Sequence, residues 1–215
     1  QTRFKSYWRT ILLFLFLLSI PVVVKNNLWW HPDSLAILFC VLAIFFLDRD
    51  KFEFSGNFYI SAVAVGLATG TKMLGWFFFL TIPTYLIWGL VRRKLTWKTI
   101  LQKSIIFLVI MVITILISNP ALIHPIERGR YFTIQKAQAN AMGFGWFVSY
   151  QKGPVSWFPI LFEYYGAWYL ILISFVSLIY GVFKQETRLL SVIILTWVIP
   201  MLVYILFGSS PVSFQ

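Results

Sequence analysis

His31, Pro32, Asp33 and Ser34 stand together just ahead of a long apolar run, and they allow two kinds of chemistry. Proline suits the first turn of a helix, where an Asp or Ser accepts backbone N–H groups that the helix leaves unpaired. Asp33 is equally a carboxylate about one turn inside an apolar boundary, placed to orient a substrate hydroxyl or a sugar. Lys72 closes the string Gly66-Leu67-Ala68-Thr69-Gly70-Thr71-Lys72. Small residues at Gly66 and Gly70 let two helices approach closely. The turn after Lys72 is so short that the lysine must emerge at the same boundary as Asp33, either to serve a site there or to snorkel towards lipid phosphate.

A second group follows at His124, Glu127, Arg128 and Arg130. Two planar guanidinium groups beside a histidine suit a lipid phosphate or pyrophosphate head group, and they suit anchoring to anionic lipid equally well. Glu163 opens a later apolar run, where a carboxylate favours the start of a helix. The chain has no P-loop, no HExxH and no GxSxG. His31 and His124 have no neighbours at metal-ligand spacing, and a single cysteine, Cys40, leaves no internal disulfide and no cysteine-based metal cluster. Neither a metal nor a cofactor is expected.

The elements that must hold these groups are membrane helices. Of 215 residues, 60% are hydrophobic, 20% aromatic and only 12% charged, and the mean hydropathy is +0.81. Soluble domains carry about 25% charged residues, so the deficit of charge excludes that class. Seven runs are long enough to cross a bilayer: Trp8–Asn26, Leu28–Leu47, Phe54–Thr71, Met73–Val91, Ile100–Ser118, Phe162–Phe183 and Leu189–Phe207. The fold expected is all-α, a polytopic membrane helix bundle forming one transmembrane domain over residues 1–215. Alternate loops receive 12 and 6 of the 18 Lys and Arg, which places the richer set in the cytoplasm and Asp33, Lys72 and residues 119–158 outside. Nucleic acid is not indicated, because the net charge of +11 forms no basic stripe. The outer segment 119–158 is aromatic and charged, with an interfacial helix expected over Glu127–Ala141 and a cavity beneath it. The opening Gln-Thr-Arg-Phe-Lys has no signal-peptide pattern and reads as the interior of a longer protein.

The strings HPDSLAILFCVLAIFFLDRD, GLATGTKMLGWFFFLTIPTYLI and SNPALIHP, followed by an aromatic outer segment and further spans, resemble the GT-C superfamily of integral membrane glycosyltransferases. The similarity is to its protein O-mannosyltransferase and aminoarabinose transferase branch and covers nearly the whole chain. The resemblance implies transfer of a sugar from a polyprenyl-phosphate donor to a lipid, glycan or protein acceptor outside a prokaryotic cytoplasmic membrane. It also implies a general base in a first outer loop, which would lie upstream of Gln1, in the missing remainder of the chain or a partner subunit. Asp33 matches the acidic position at the start of a later span, Lys72 a Thr-Lys position, and Asn119-Pro120 the end of the span before the outer segment. The rival class is a non-catalytic membrane subunit or a flippase for lipid-linked sugars. A flippase needs polar groups along the middle of its spans, whereas the charges here cluster at the ends.

Overall fold

The computed structural model describes residues 7–18, 20, 23–24, 28, 32–141, 144–145, 148–149 and 168–208. Its helices are α1 (Tyr7–Leu18), α2 (Pro32–Asp50), α3 (Gly56–Thr71), α4 (Phe78–Val91), α5 (Trp97–Ser118), α6 (Pro125–Ala141), α7 (Trp168–Phe183) and α8 (Arg188–Val203). A 3-10 segment, Met73–Phe77, joins α3 to α4, and a π turn, Tyr204–Gly208, follows α8. The all-α expectation holds apart from one antiparallel pair of two-residue strands, β1 (Phe144–Gly145) and β2 (Val148–Ser149).

Chain direction alternates. α2 leaves Asp33, α3 returns to Lys72, α4 leaves again and α5 returns to Asn119. α8 is antiparallel to α4, with Thr196 against Thr81 (3.4 Å) and Tyr204 against Phe77. Asp33, Lys72, Asn119 and α6 therefore share one end of the bundle, and Asp50, the Arg92–Thr96 loop and Arg188 share the other. From α2 onward, nine of the described Lys and Arg lie at the Asp50 end and four at the Lys72 end.

The core forms where small residues let α2, α3 and α5 close together. α2 buries Ala36, Cys40, Ala43 and Leu47, a stripe at helical spacing, against Phe58, Ala62, Val65 and Ala68 of α3. The Ser61 hydroxyl also donates across this seam to the Ala43 carbonyl at 3.0 Å. On its other face α3 meets α5 at Gly66, where an added Cβ would lie 2.7 Å from Thr114 Cβ and 2.9 Å from the Met111 carbonyl oxygen. The small-residue spacing read from the sequence thus does what it promises.

Among the described residues two stretches are long and apolar enough to cross a membrane: Leu74–Val91, with mean hydropathy 1.7, and Trp97–Ser118, with 2.6. α7 and α8 are apolar but shorter, at 16 residues each, and α1 has 12. Of the seven crossings expected from the sequence, Met73–Val91 and Ile100–Ser118 correspond to these two stretches, and the others are longer than the helices that occupy them. Part of the difference falls on residues 162–167, outside the described residues. Within α5 only Phe107 is buried, while Leu108, Val109, Val112, Ile113 and Ile117 are exposed. A helix apolar on its exposed face needs an apolar surrounding.

Candidate functional site

α3 ends at Thr71, and Lys72 is a single extended residue, φ −155° and ψ 148°, before the 3-10 segment begins. Its N–H still closes the last helical turn on the Ala68 carbonyl at 3.0 Å. The break turns the lysine side chain out of the helix and onto the first turn of α2, where Lys72 Nζ forms an ion pair with Asp33 Oδ1. The lysine side chain is 46% exposed and the carboxylate 25%. Asp33 therefore does two things: it places negative charge in the first turn of a helix, where the dipole favours it, and it holds Lys72.

The break is braced from three sides. Asn119, at the end of α5, donates from Nδ2 to the Gly70 carbonyl at 3.0 Å, two residues before the lysine. Trp197 of α8 donates its indole N–H to the Leu74 carbonyl at 3.4 Å. Gly75 lies against Thr69 and the Val65 carbonyl with no space for a side chain. Asn119 and Trp197 are positioning groups that local sequence motifs could not supply, since their partners lie 49 and 123 residues away.

The remaining candidates do not gather around this pair. Glu127 and Arg130 bind one another along α6 at 2.9 Å, both well exposed. His124 and Arg128 are exposed near the start of α6, the Arg128 N–H capping on the His124 carbonyl at 2.9 Å. α6 rests on Pro120–Leu122 and β1. His31 and Glu163 lie outside the described residues. A helix, α6, covers the expected Glu127–Ala141, and the outer segment beyond it lies largely outside the described residues. A groove of about 410 Å³ lies between α4 and α5, with Val65 and Thr69 of α3 at its base. Among the described residues no cluster of His, Cys, Asp and Glu could hold a metal ion.

A second polar centre, at the opposite end, was not legible as a site. Asp50 is completely buried at the C-terminal end of α2, where the helix dipole disfavours a carboxylate. Four hydrogen bonds compensate it. Phe54 N–H and Ser55 N–H donate at 3.1 and 2.9 Å, the Ser55 hydroxyl at 3.2 Å and the Tyr85 hydroxyl at 2.8 Å. Tyr85 in turn accepts the Phe52 N–H at 2.8 Å. With Lys51, Phe52 and Phe54 all at positive φ (50°, 66° and 52°), this network folds the α2–α3 turn under the bundle. The one signal available was an aspartate at the wrong end of a helix. Comparison with family models, with curated proteins and with solved structures finds no match for the chain.

Proposed function

We propose that the chain is the membrane domain, or part of it, of a multi-pass glycosyltransferase that moves a sugar from a polyprenyl-phosphate donor to an acceptor hydroxyl on the outer side of a membrane. The observation that carries the reading is the Asp33–Lys72 pair, a carboxylate and an ammonium brought from two helices to one half-wet boundary. The exposed apolar face of α5 supports a lipid surrounding, and the collection of cations at the Asp50 end supports an outward-facing Asp33 end. The resemblance of the HPDSL and GTKMLGW strings to GT-C enzymes supplies the donor class.

In this reading Asp33 accepts a hydrogen bond from the acceptor or the sugar, and Lys72 donates to the phosphate oxygen that gains charge as the glycosidic bond breaks. The ion pair holds both groups in register before substrate arrives. Arg128 and Arg130 stand on α6 at the same end of the bundle, Arg130 paired with Glu127, and add positive charge to that end without joining the pair. Asp33→Asn tests this directly, because Asn starts a helix about as well as Asp but has no charge. The variant of the full-length protein should melt with the wild type while transfer from a polyprenyl-phosphate sugar falls on the order of 100-fold or more. A well-folded Asp33→Asn protein with undiminished turnover would reduce the pair to a helix-end contact.

A further inference from the structure

The groove between α4 and α5 exists because its two walls have other partners: α4 packs chiefly on α8, and α5 chiefly on α3. Ile82, Leu86, Phe107, Leu108 and Met111 make it apolar along its length, with a volume of about 410 Å³. At the Asp50 end it reaches Trp97 and Ile100 in the first turn of α5, directly after the loop that joins the walls. That loop and turn present Arg92, Arg93, Lys94 and Lys98, all exposed, and residues 91–102 include no carboxylate. Asp50, the fully buried carboxylate at this end, is filled by its own four hydrogen bonds. Arg92 and Lys94 lie over the rings of Trp88 and Phe52 at 5.9 and 5.7 Å. Among the described residues Arg93 and Lys98 engage neither an ion pair nor a side-chain hydrogen bond.

Arg93 is also out of place conformationally. It has φ 55°, its N–H binds the Leu90 carbonyl at 2.8 Å and the Lys94 N–H binds Gly89 at 3.0 Å. This is the helix-ending motif whose left-handed residue is usually glycine. A long cation thus occupies a glycine's position, at a conformational cost, in the loop that joins the two walls of the groove.

We infer that the groove binds one anionic phospholipid from the leaflet at the Asp50 end, its acyl chain along α4 and α5 and its phosphate between Arg93 and Lys98. Charge complementarity selects this end, where Arg92, Arg93, Lys94 and Lys98 stand within one loop and one helical turn, over the other, where residues 73–79 carry no charge. Trp97 then stands at the depth of the head groups, as interfacial tryptophans do. The inference rests on the membrane reading above and not on sugar transfer.

Native mass spectrometry of the delipidated full-length protein, titrated with phosphatidylglycerol or with phosphatidylcholine of the same chains, tests it. The wild type should hold one phosphatidylglycerol on the order of tenfold or more tightly than phosphatidylcholine. Arg93→Gln with Lys98→Gln, both at exposed positions, should erase that preference without changing phosphatidylcholine retention. Leu108→Trp, which fills the groove, should lower retention of both lipids. Unchanged phosphatidylglycerol binding in either variant overturns the site, and so does its displacement by an equimolar polyprenyl phosphate. A protein that stays monodisperse without detergent and holds neither lipid would instead remove the membrane reading itself.

Discussion

Asp50 shows how a single residue can be costly in one element and stabilising for the whole. Its charge opposes the dipole of α2, yet it gathers two backbone N–H groups and two hydroxyls that would otherwise be buried without partners. Tyr85 is the residue that completes the network, donating to Asp50 and accepting from Phe52. Tyr85→Phe keeps the ring stacked on Phe52, whose centroid is 4.6 Å away, and deletes only the hydroxyl. The variant should lose about 1.5–3 kcal/mol, the range for a hydrogen bond to a charged group. Thermal unfolding in detergent measures it, and a melting curve superimposable on the wild type would show that water replaces the hydroxyl. Transfer activity should be unaffected once the protein is folded, because the network sits at the end of the bundle away from Lys72. The two polar centres differed in legibility for a physical reason. Lys72 follows a helix and precedes another with almost no turn, so sequence alone forces it to the Asp33 boundary. Asp50 finds its partner 35 residues away, and among Asp48, Arg49 and Lys51 it reads as one more charge in a solvated loop.

At the scale of elements, the close contact between α3 and α5 determines where Lys72 points. Asn119 reaches Gly70 only because the two helices touch, and an added Cβ on Gly70 would lie 2.6 Å from Asn119 Nδ2. Gly66→Val meets backbone as well as side chain, at the Met111 carbonyl and Thr114, so the helices must separate. Overpacking of this kind costs typically about 1–3 kcal/mol. Gly129→Ala in α6 is the control, since nothing lies within 4 Å of its added Cβ. It should leave stability unchanged or raise it by up to about 1 kcal/mol through helix propensity. Equal melting temperatures for Gly66→Val and the wild type would mean that the helices do not pack this closely in the membrane. The spacing of Gly66 and Gly70 announced a close approach, and it could not name the partner: α5 lies after an intervening helix, and nothing in its apolar surface distinguishes it from α4. The groove escaped the sequence for the same reason, since it depends on which of two similar apolar helices each neighbour chooses.

For the whole molecule, the distribution of charge separates the two ends of the bundle and, under the proposed function, sets which of them should face outward. The nine described cations from α2 onward at the Asp50 end are held largely by aromatic rings and carbonyls. Lys103 donates to the Tyr59 hydroxyl at 2.8 Å, Arg49 lies over Phe45 at 5.4 Å, Lys184 over Tyr180 at 4.8 Å, and Arg188 caps the Val182 carbonyl of α7 at 2.8 Å. Cations on aromatic rings at one level of a bundle suit a membrane boundary, where the ring stays in the apolar layer and the charge faces the head groups. Positive charge is retained on the cytoplasmic side during insertion, so this end should be inside and the Asp33–Lys72 pair outside. In a Cys40→Ala background, single cysteines at Thr96 and Gln185, both exposed at the Asp50 end, should be shielded from an impermeant thiol reagent in intact cells and should react once the cells are opened. Cysteines at Ala121 and Ala137, exposed at the Lys72 end, should react in intact cells. The reverse pattern would keep the bundle and its ion pair but turn both to the cytoplasm. The donor would then have to be a sugar available on that side, and a polyprenyl-phosphate transferase facing outward would no longer be tenable. Reaction at all four sites in intact cells would mean that the bundle does not separate two compartments, and the lipid site at Arg93 and Lys98 would fall with it.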